Sequence, residues 1–146
     1  ALGQGAREGW LFNSGLAGIE QADAILLVGV NTRTEAPLLN ARLRKAWLGG
    51  KTEILVIGEQ ADLTYDYSYL GAGSKTLSKL PKAVTDLLSE AERPAIIVGG
   101  GAISGENGPA VLNAIGALAK KFGVVGEGWN GFNVLHTAAA RVGGLD

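Results

Sequence analysis

Residues 24–30 read AILLVGV and run straight into Asn31 and Thr32. The run has no polar member, and that decides how it must sit. A strand with one face in water alternates apolar and polar residues, whereas an unbroken aliphatic run needs cover on both faces. Two further stretches share the pattern: 53–57 (EILVI) and 95–98 (AIIV), each followed at once by glycine. Strands of this kind belong in a parallel sheet with helices on either side.

Helical patterns fall between them. Residues 37–48 (PLLNARLRKAWL) place Leu39, Leu43, Ala46 and Trp47 on one stripe, with Arg42, Arg44 and Lys45 on the solvated side. Pro37 suits a first turn, and Gly49-Gly50 ends the helix. Leu77, Leu80, Val84, Leu87, Leu88 and Ala91 keep helical spacing, but Pro81 divides them into a short turn and a helix over 82–92. Residues 109–122 form the clearest helix, with Val111, Ile115, Leu118 and Phe122 inward and Lys120 and Lys121 favourable at its C-terminal end. Val124-Val125 reads as a fourth strand, and 133–142 as a last helix through Val134, Leu135, Ala138 and Val142. The order predicts an α/β fold: a doubly wound, mainly parallel sheet in a Rossmann-like three-layer αβα arrangement. The 146 residues fit one domain, with a possible internal boundary near 71–82.

Composition narrows the chemistry. The chain has no cysteine, which removes disulfides, Cys-ligated zinc, iron–sulfur clusters and a catalytic thiol from this stretch. One histidine, His136, gives no His-rich metal site. Thirteen basic against 14 acidic side chains leave a net charge of -1, which argues against a nucleic-acid partner. No apolar run approaches the ~20 residues needed to span a bilayer, so direct membrane insertion is not expected. The first residues lack the basic-then-apolar order of a signal peptide. With no methionine anywhere, the chain reads as an excised piece of a longer one. Glycine, at 23 of 146, is about twice as frequent as usual and points to tight turns and close backbone approaches.

Two glycine-bearing turns are the candidate binding elements, because ligands of open α/β sheets lie beyond the carboxyl ends of the strands. The first is Gly29-Val30-Asn31-Thr32-Arg33-Thr34. Asn31 and Thr34 are suited to hold a nucleotide and Arg33 a phosphate, while capping of the next helix is the simpler use of Asn31. The second is Gly99-Gly100-Gly101-Ala102-Ile103-Ser104-Gly105, ahead of a helix. Gly99, Gly101 and Gly105 there would let backbone N–H groups approach a phosphate. Their spacing is looser than GxGxxG, and the acidic residue expected some 20 positions on has only Glu127 to fill it. Tight-turn geometry explains the glycines better. Tyr65, Tyr67 and Tyr69, spaced for one face of an extended segment, read as packing or contact surface rather than a ligand platform. Asp62, Asp66 and Asp86 show no paired-carboxylate spacing, so no catalytic residue is assigned.

The stretch AGIEQADAILLVGVNTRTEAPLLNARLRKAWLGG resembles the molybdopterin oxidoreductase family, with its strand, Gly-x-Asn turn, proline and Arg-rich helix. Within that family, Glu35-Ala36-Pro37-Leu38, residues 40–45, DLTYDYSYLG, ERPAIIVGGGAI and NVLHTAAARVGGLD resemble the large iron–sulfur subunit of respiratory complex I (NADH:quinone oxidoreductase), nearest its alphaproteobacterial and mitochondrial branch. The resemblance implies a part of the electron-transferring peripheral arm, among other subunits and domains of complex I. It would lie on the cytoplasmic face of a bacterial inner membrane, or on the matrix side in mitochondria. It implies iron–sulfur clusters in an N-terminal part of the parent subunit and no cofactor here. In cofactor-bearing relatives the Gly29–Asn31 turn would face the guanosine-diphosphate half of the pterin, making Gly29, Asn31, Gly99, Gly101 and Gly105 vestigial. Those relatives tend to carry Asp-Pro-Arg after the second strand, where this chain has Gly58-Glu59-Gln60. The strand–GGG–helix–KKFGV segment also resembles the central FAD/ADP-binding-like domain of thiamine-diphosphate enzymes, an alternative without a counterpart for the 37–48 helix or the tyrosine run.

Overall fold

The computed structural model describes residues 18–72, 74–99, 106, 108–126 and 129–135. In chain order the elements are β1 (Ala24–Val28), α1 (Thr32–Glu35), α2 (Pro37–Leu48), β2 (Glu53–Ile57), β3 (Ser68–Gly71), α3 (Ser74–Ser78), α4 (Lys82–Glu90), β4 (Pro94–Gly99), α5 (Gly108–Lys121), β5 (Val125–Gly126), β6 (Trp129–Asn130) and β7 (Phe132–Leu135). Five strands make one sheet in the order β3-β2-β1-β4-β7, every pairing parallel. β1 lies at its centre, in register from Ala24 against Glu53 on one side and Pro94 on the other.

All five β1 side chains are buried, and they divide between two cores. Ala24, Leu26 and Val28 join Leu55, Ile57, Ile96 and Val98 under Leu77, Val84, Leu88, Ile115, Ala119 and Phe122 of the α3–α5 side. Ile25 and Leu27 join Ile54, Val56, Ala95 and Ile97 under Leu39 and Leu43 of α2 and Leu63 and Tyr65 of the β2–β3 connection. The unbroken aliphatic run thus follows from cover on both faces. Each such side chain contributes roughly 1.5–3 kcal/mol on burial. The carboxylate of Asp23, just before β1, accepts from the N–H groups of Glu92 (2.8 Å) and Arg93 (2.9 Å), tying the starts of β1 and β4 together.

The doubly wound parallel α/β prediction holds, with four departures, the first being the edge strand β3, which no strand expectation covered. The 82–92 helix stops at Glu90, because Ala91 is already extended. Val125 does start a strand, but outside the main sheet: with Gly126 it pairs antiparallel with Trp129-Asn130 in a separate two-stranded sheet. The fifth strand is instead Phe132–Leu135, at the start of the stretch read as a helix. There Val134 is buried in the first core and Leu135 packs on the second, the period of two that a strand demands. The Val134-Leu135 pair fits either period, so pairing with β4 decides it. Residues 136–142 of that predicted helix lie outside the described residues.

Candidate functional site

The chain winds from β1 to β2 and β3 on one side, then crosses to β4 and β7 on the other. The carboxyl ends of β1 and β4 are therefore the switch point where such sheets place ligands. Both candidate turns start there. Gly29 has φ +60, a left-handed conformation that glycine adopts without strain. A β-carbon on Gly99 would lie 2.2 Å from the Gly29 carbonyl oxygen. The two glycines thus bring β1 and β4 into backbone contact where the strands end. Gly101 and Gly105 lie outside the described residues, as do Glu127 and His136.

The Asn31, Arg33 and Thr34 side chains of the first turn all make contacts within the chain. Asn31 caps α1: its Oδ1 accepts from the Thr34 N–H at 3.3 Å, and its own N–H donates to the Glu35 carboxylate. Arg33 pairs with Asp62, Nη1 lying 3.3 Å from Oδ2 and 3.2 Å from the backbone oxygen. The simpler use of Asn31, capping, is the one the structure adopts. The three tyrosines lie toward one side of the sheet but differ in depth. Tyr65 is buried and stands edge-on to Tyr67, with 6.5 Å between centroids. Tyr69 is exposed in β3 and its hydroxyl donates to the Gly58 carbonyl at 2.5 Å.

Behind the turn lies a buried network that sequence reasoning missed. Thr32, fully buried, donates to Asn40 Oδ1 at 2.6 Å. Its one proton is then used, so the Tyr65 hydroxyl, 3.0 Å away, donates to Thr32 Oγ1. Asn40 Nδ2 donates to the Leu63 carbonyl (2.9 Å) and to Thr64 Oγ1 (3.3 Å). Arg44 Nε donates to the Thr64 carbonyl at 3.1 Å. Three successive carbonyls, those of Asp62, Leu63 and Thr64, so receive Arg33, Asn40 and Arg44. The reason is topological. Parallel strands usually need a helical crossover, and here the β2–β3 connection has no helix to satisfy its own backbone. Thr64 shows the constraint: it is held at φ +73, unusual for a β-branched residue. A polar Asn40 inside the Leu39–Leu43 stripe was the one available sequence signal.

Burial pushes the Tyr65 hydroxyl up to about 12. An unfolded tyrosine ionises near 10, so the folded chain holds this proton more tightly. The contribution is fully present below about pH 10 and is lost as pH rises toward about 12. Tyr65→Phe should flatten the alkaline limb: denaturant unfolding at pH 9 and pH 12 should show the wild type losing about 2 kcal/mol more than the variant. Equal losses would discount the buried hydroxyl.

Among the described residues no cluster of three or more His, Asp or Glu side chains is placed to hold a metal ion, and no helix is long and apolar enough to cross a membrane. The family model for molybdopterin oxidoreductases matches residues 1–146. The mitochondrial NADH-ubiquinone oxidoreductase 78 kDa subunit of Candida albicans is 43% identical over 148 residues, covering 100% of this chain and 21% of the relative. Its Neurospora crassa counterpart is 41% identical over 149 residues, covering 100% and 20%. The mitochondrial NADH dehydrogenase (ubiquinone) iron-sulfur protein 1 of Solanum tuberosum is 38% identical over 143 residues, covering 96% and 19%. The chain thus spans about a fifth of the length of these curated relatives. The match takes in the 37–48 helix and the tyrosine run, which the thiamine-diphosphate alternative leaves without a counterpart. The chain belongs to the molybdopterin oxidoreductase family and corresponds to the molybdopterin oxidoreductase-like region of the large iron–sulfur subunit of NADH:ubiquinone oxidoreductase.

Proposed function

We propose that this chain is a scaffold domain without a cofactor of its own, set in the electron-transferring arm of an NADH:quinone oxidoreductase. One observation carries the reading: the Asn31 and Arg33 side chains at the switch point already have partners within the chain. A pterin dinucleotide is anionic and needs N–H and guanidinium donors at that edge. Here the Asn31 N–H holds the Glu35 carboxylate, the Asn31 side chain caps Thr34, and Arg33 is paired with Asp62. Gly58-Glu59-Gln60 follows β2 and brings a carboxylate where an anion would need a cation. These pairings and that carboxylate support a site without the cofactor.

On this reading the whole of 1–146 acts as one α/β unit, with 71–82 as a connection inside it. Its partners are neighbouring subunits and domains of the complex, on the matrix side in mitochondria or the cytoplasmic face in bacteria. Electrons pass through clusters on other parts of the parent subunit, since a chain without cysteine supplies no thiolate ligands.

Titration calorimetry of the purified chain with GDP, ADP and FAD tests this directly. No saturable heat is expected up to millimolar ligand. Micromolar binding of GDP would overturn the scaffold reading, and micromolar FAD or ADP would favour a flavin-type domain instead. Stoichiometric molybdenum in the purified protein would do the same damage.

A further inference from the structure

Away from the switch point, a cavity of about 240 Å³ opens between the last turn of α2 and the starts of β2 and β3. Trp47, Gly50, Glu53, Asp66, Tyr67 and Ser68 line most of it. Its walls combine two half-buried aromatic rings with two exposed carboxylates. Two other polar groups of the lining are already engaged. Thr52 Oγ1 donates to the Ala22 carbonyl at 2.8 Å, and the Tyr67 hydroxyl is shared between the N–H (3.0 Å) and carbonyl (2.5 Å) of Ala61. Among the described residues, ion pairs join Arg33 to Asp62 and both Arg42 and Lys45 to Glu20. Glu53 and Asp66 take part in none. Among the described residues the cavity therefore presents two carboxylates without an ion-pair partner beside aromatic surface.

That pairing is selective. Carboxylates alone attract any cation, and a small hydrated ion gains nothing from indole and phenol rings. A guanidinium is planar, weakly hydrated and able to stack on aromatic faces while bonding to carboxylates. Ammonium has the charge without the plane. We propose that this cavity is a docking site for an arginine side chain of a neighbouring polypeptide, held by Glu53 and Asp66 against the Trp47 and Tyr67 rings. The proposal rests on reading the chain as one part of a multi-subunit assembly, and charge complementarity selects the occupant.

The probe is N-acetyl-arginine amide, titrated into the 146-residue chain while the Trp47 indole N–H is followed by NMR. Saturable shifts at Trp47 with a Kd of roughly a few millimolar are expected at low salt, from two carboxylates and two aromatic rings acting on one guanidinium. The neutral isostere N-acetyl-citrulline amide should shift Trp47 at least fivefold less. Asp66→Asn and Glu53→Gln, both at exposed positions that leave the core intact, should each weaken arginine binding at least threefold. Equal shifts with citrulline, or arginine shifts unaffected by both substitutions, would sink the proposal, as would no response at Trp47. Nucleotide titration interrogates a different edge of the sheet, so failure here leaves the cofactor-free reading standing, and failure there is separately visible.

Discussion

Gly99→Ala is expected to destabilise the chain by about 3 kcal/mol and to lower its Tm by roughly 6–12 °C. The new methyl would lie 2.2 Å from the Gly29 carbonyl oxygen, 3.0 Å from its carbonyl carbon and 3.1 Å from Val30 Cβ. The two closest of these are backbone atoms at the ends of β1 and β4, the central pair of the sheet, and no rotamer change can move them aside. Relief would require β1 and β4 to part at their carboxyl ends, breaking the cover over Val28 and Val98. Gly116→Ala is the matched control. It lies in the interior of α5 with nothing within 4 Å of a new β-carbon, and should stabilise by up to about 1 kcal/mol through helix propensity. Thermal unfolding of both variants beside the wild type reads the comparison. Gly99→Ala at wild-type stability would mean that the strand ends are not in contact.

Asn40→Ala should cost about 2–4 kcal/mol, an effect out of proportion to its size. The side chain accepts from Thr32 and donates to Leu63 and Thr64, so its loss strands a buried hydroxyl and a backbone carbonyl together. The β2–β3 connection should loosen as a unit. Faster amide hydrogen exchange at Thr64 and Ala61, with β1 amides still protected, is the specific signature. Thr32→Val should cost less, and the double variant less than the sum of the singles, because both act on one network. Strict additivity would argue against a shared network.

The two predictions differ in how far they were legible from the sequence. The glycine after each strand stood out at once, because AILLVG and AIIVG each end an aliphatic run on it. That Gly29 and Gly99 touch did not, since it depends on β1 and β4 being neighbours although 70 positions separate the glycines. Asn40 was harder still. Within PLLNARLRKAWL it follows Leu39 on the buried side, and only its partners at 63 and 64 show why a polar residue belongs there. Val134-Leu135 marks the opposite failure: two adjacent apolar residues satisfy a helix or a strand equally, and the free edge of β4 chose the strand.

The α/β class, the parallel sheet and the inward faces of α2, α4 and α5 follow from the sequence alone. Continuous aliphatic runs and helical stripes are local records of how many faces each element buries. The exclusion of thiolate chemistry is likewise compositional. The tertiary structure alone decided the rest: which turns meet at the switch point, that Asn31 and Arg33 contact Glu35, Thr34 and Asp62, and that Trp47 and Tyr67 frame two unpaired carboxylates. Those facts depend on which polar groups remain unmatched after the apolar faces have closed. Apolar burial is nearly indifferent to the identity of its neighbours, and so it is legible one element at a time. A hydrogen bond or ion pair requires one particular partner at one distance, and only packing brings the two together.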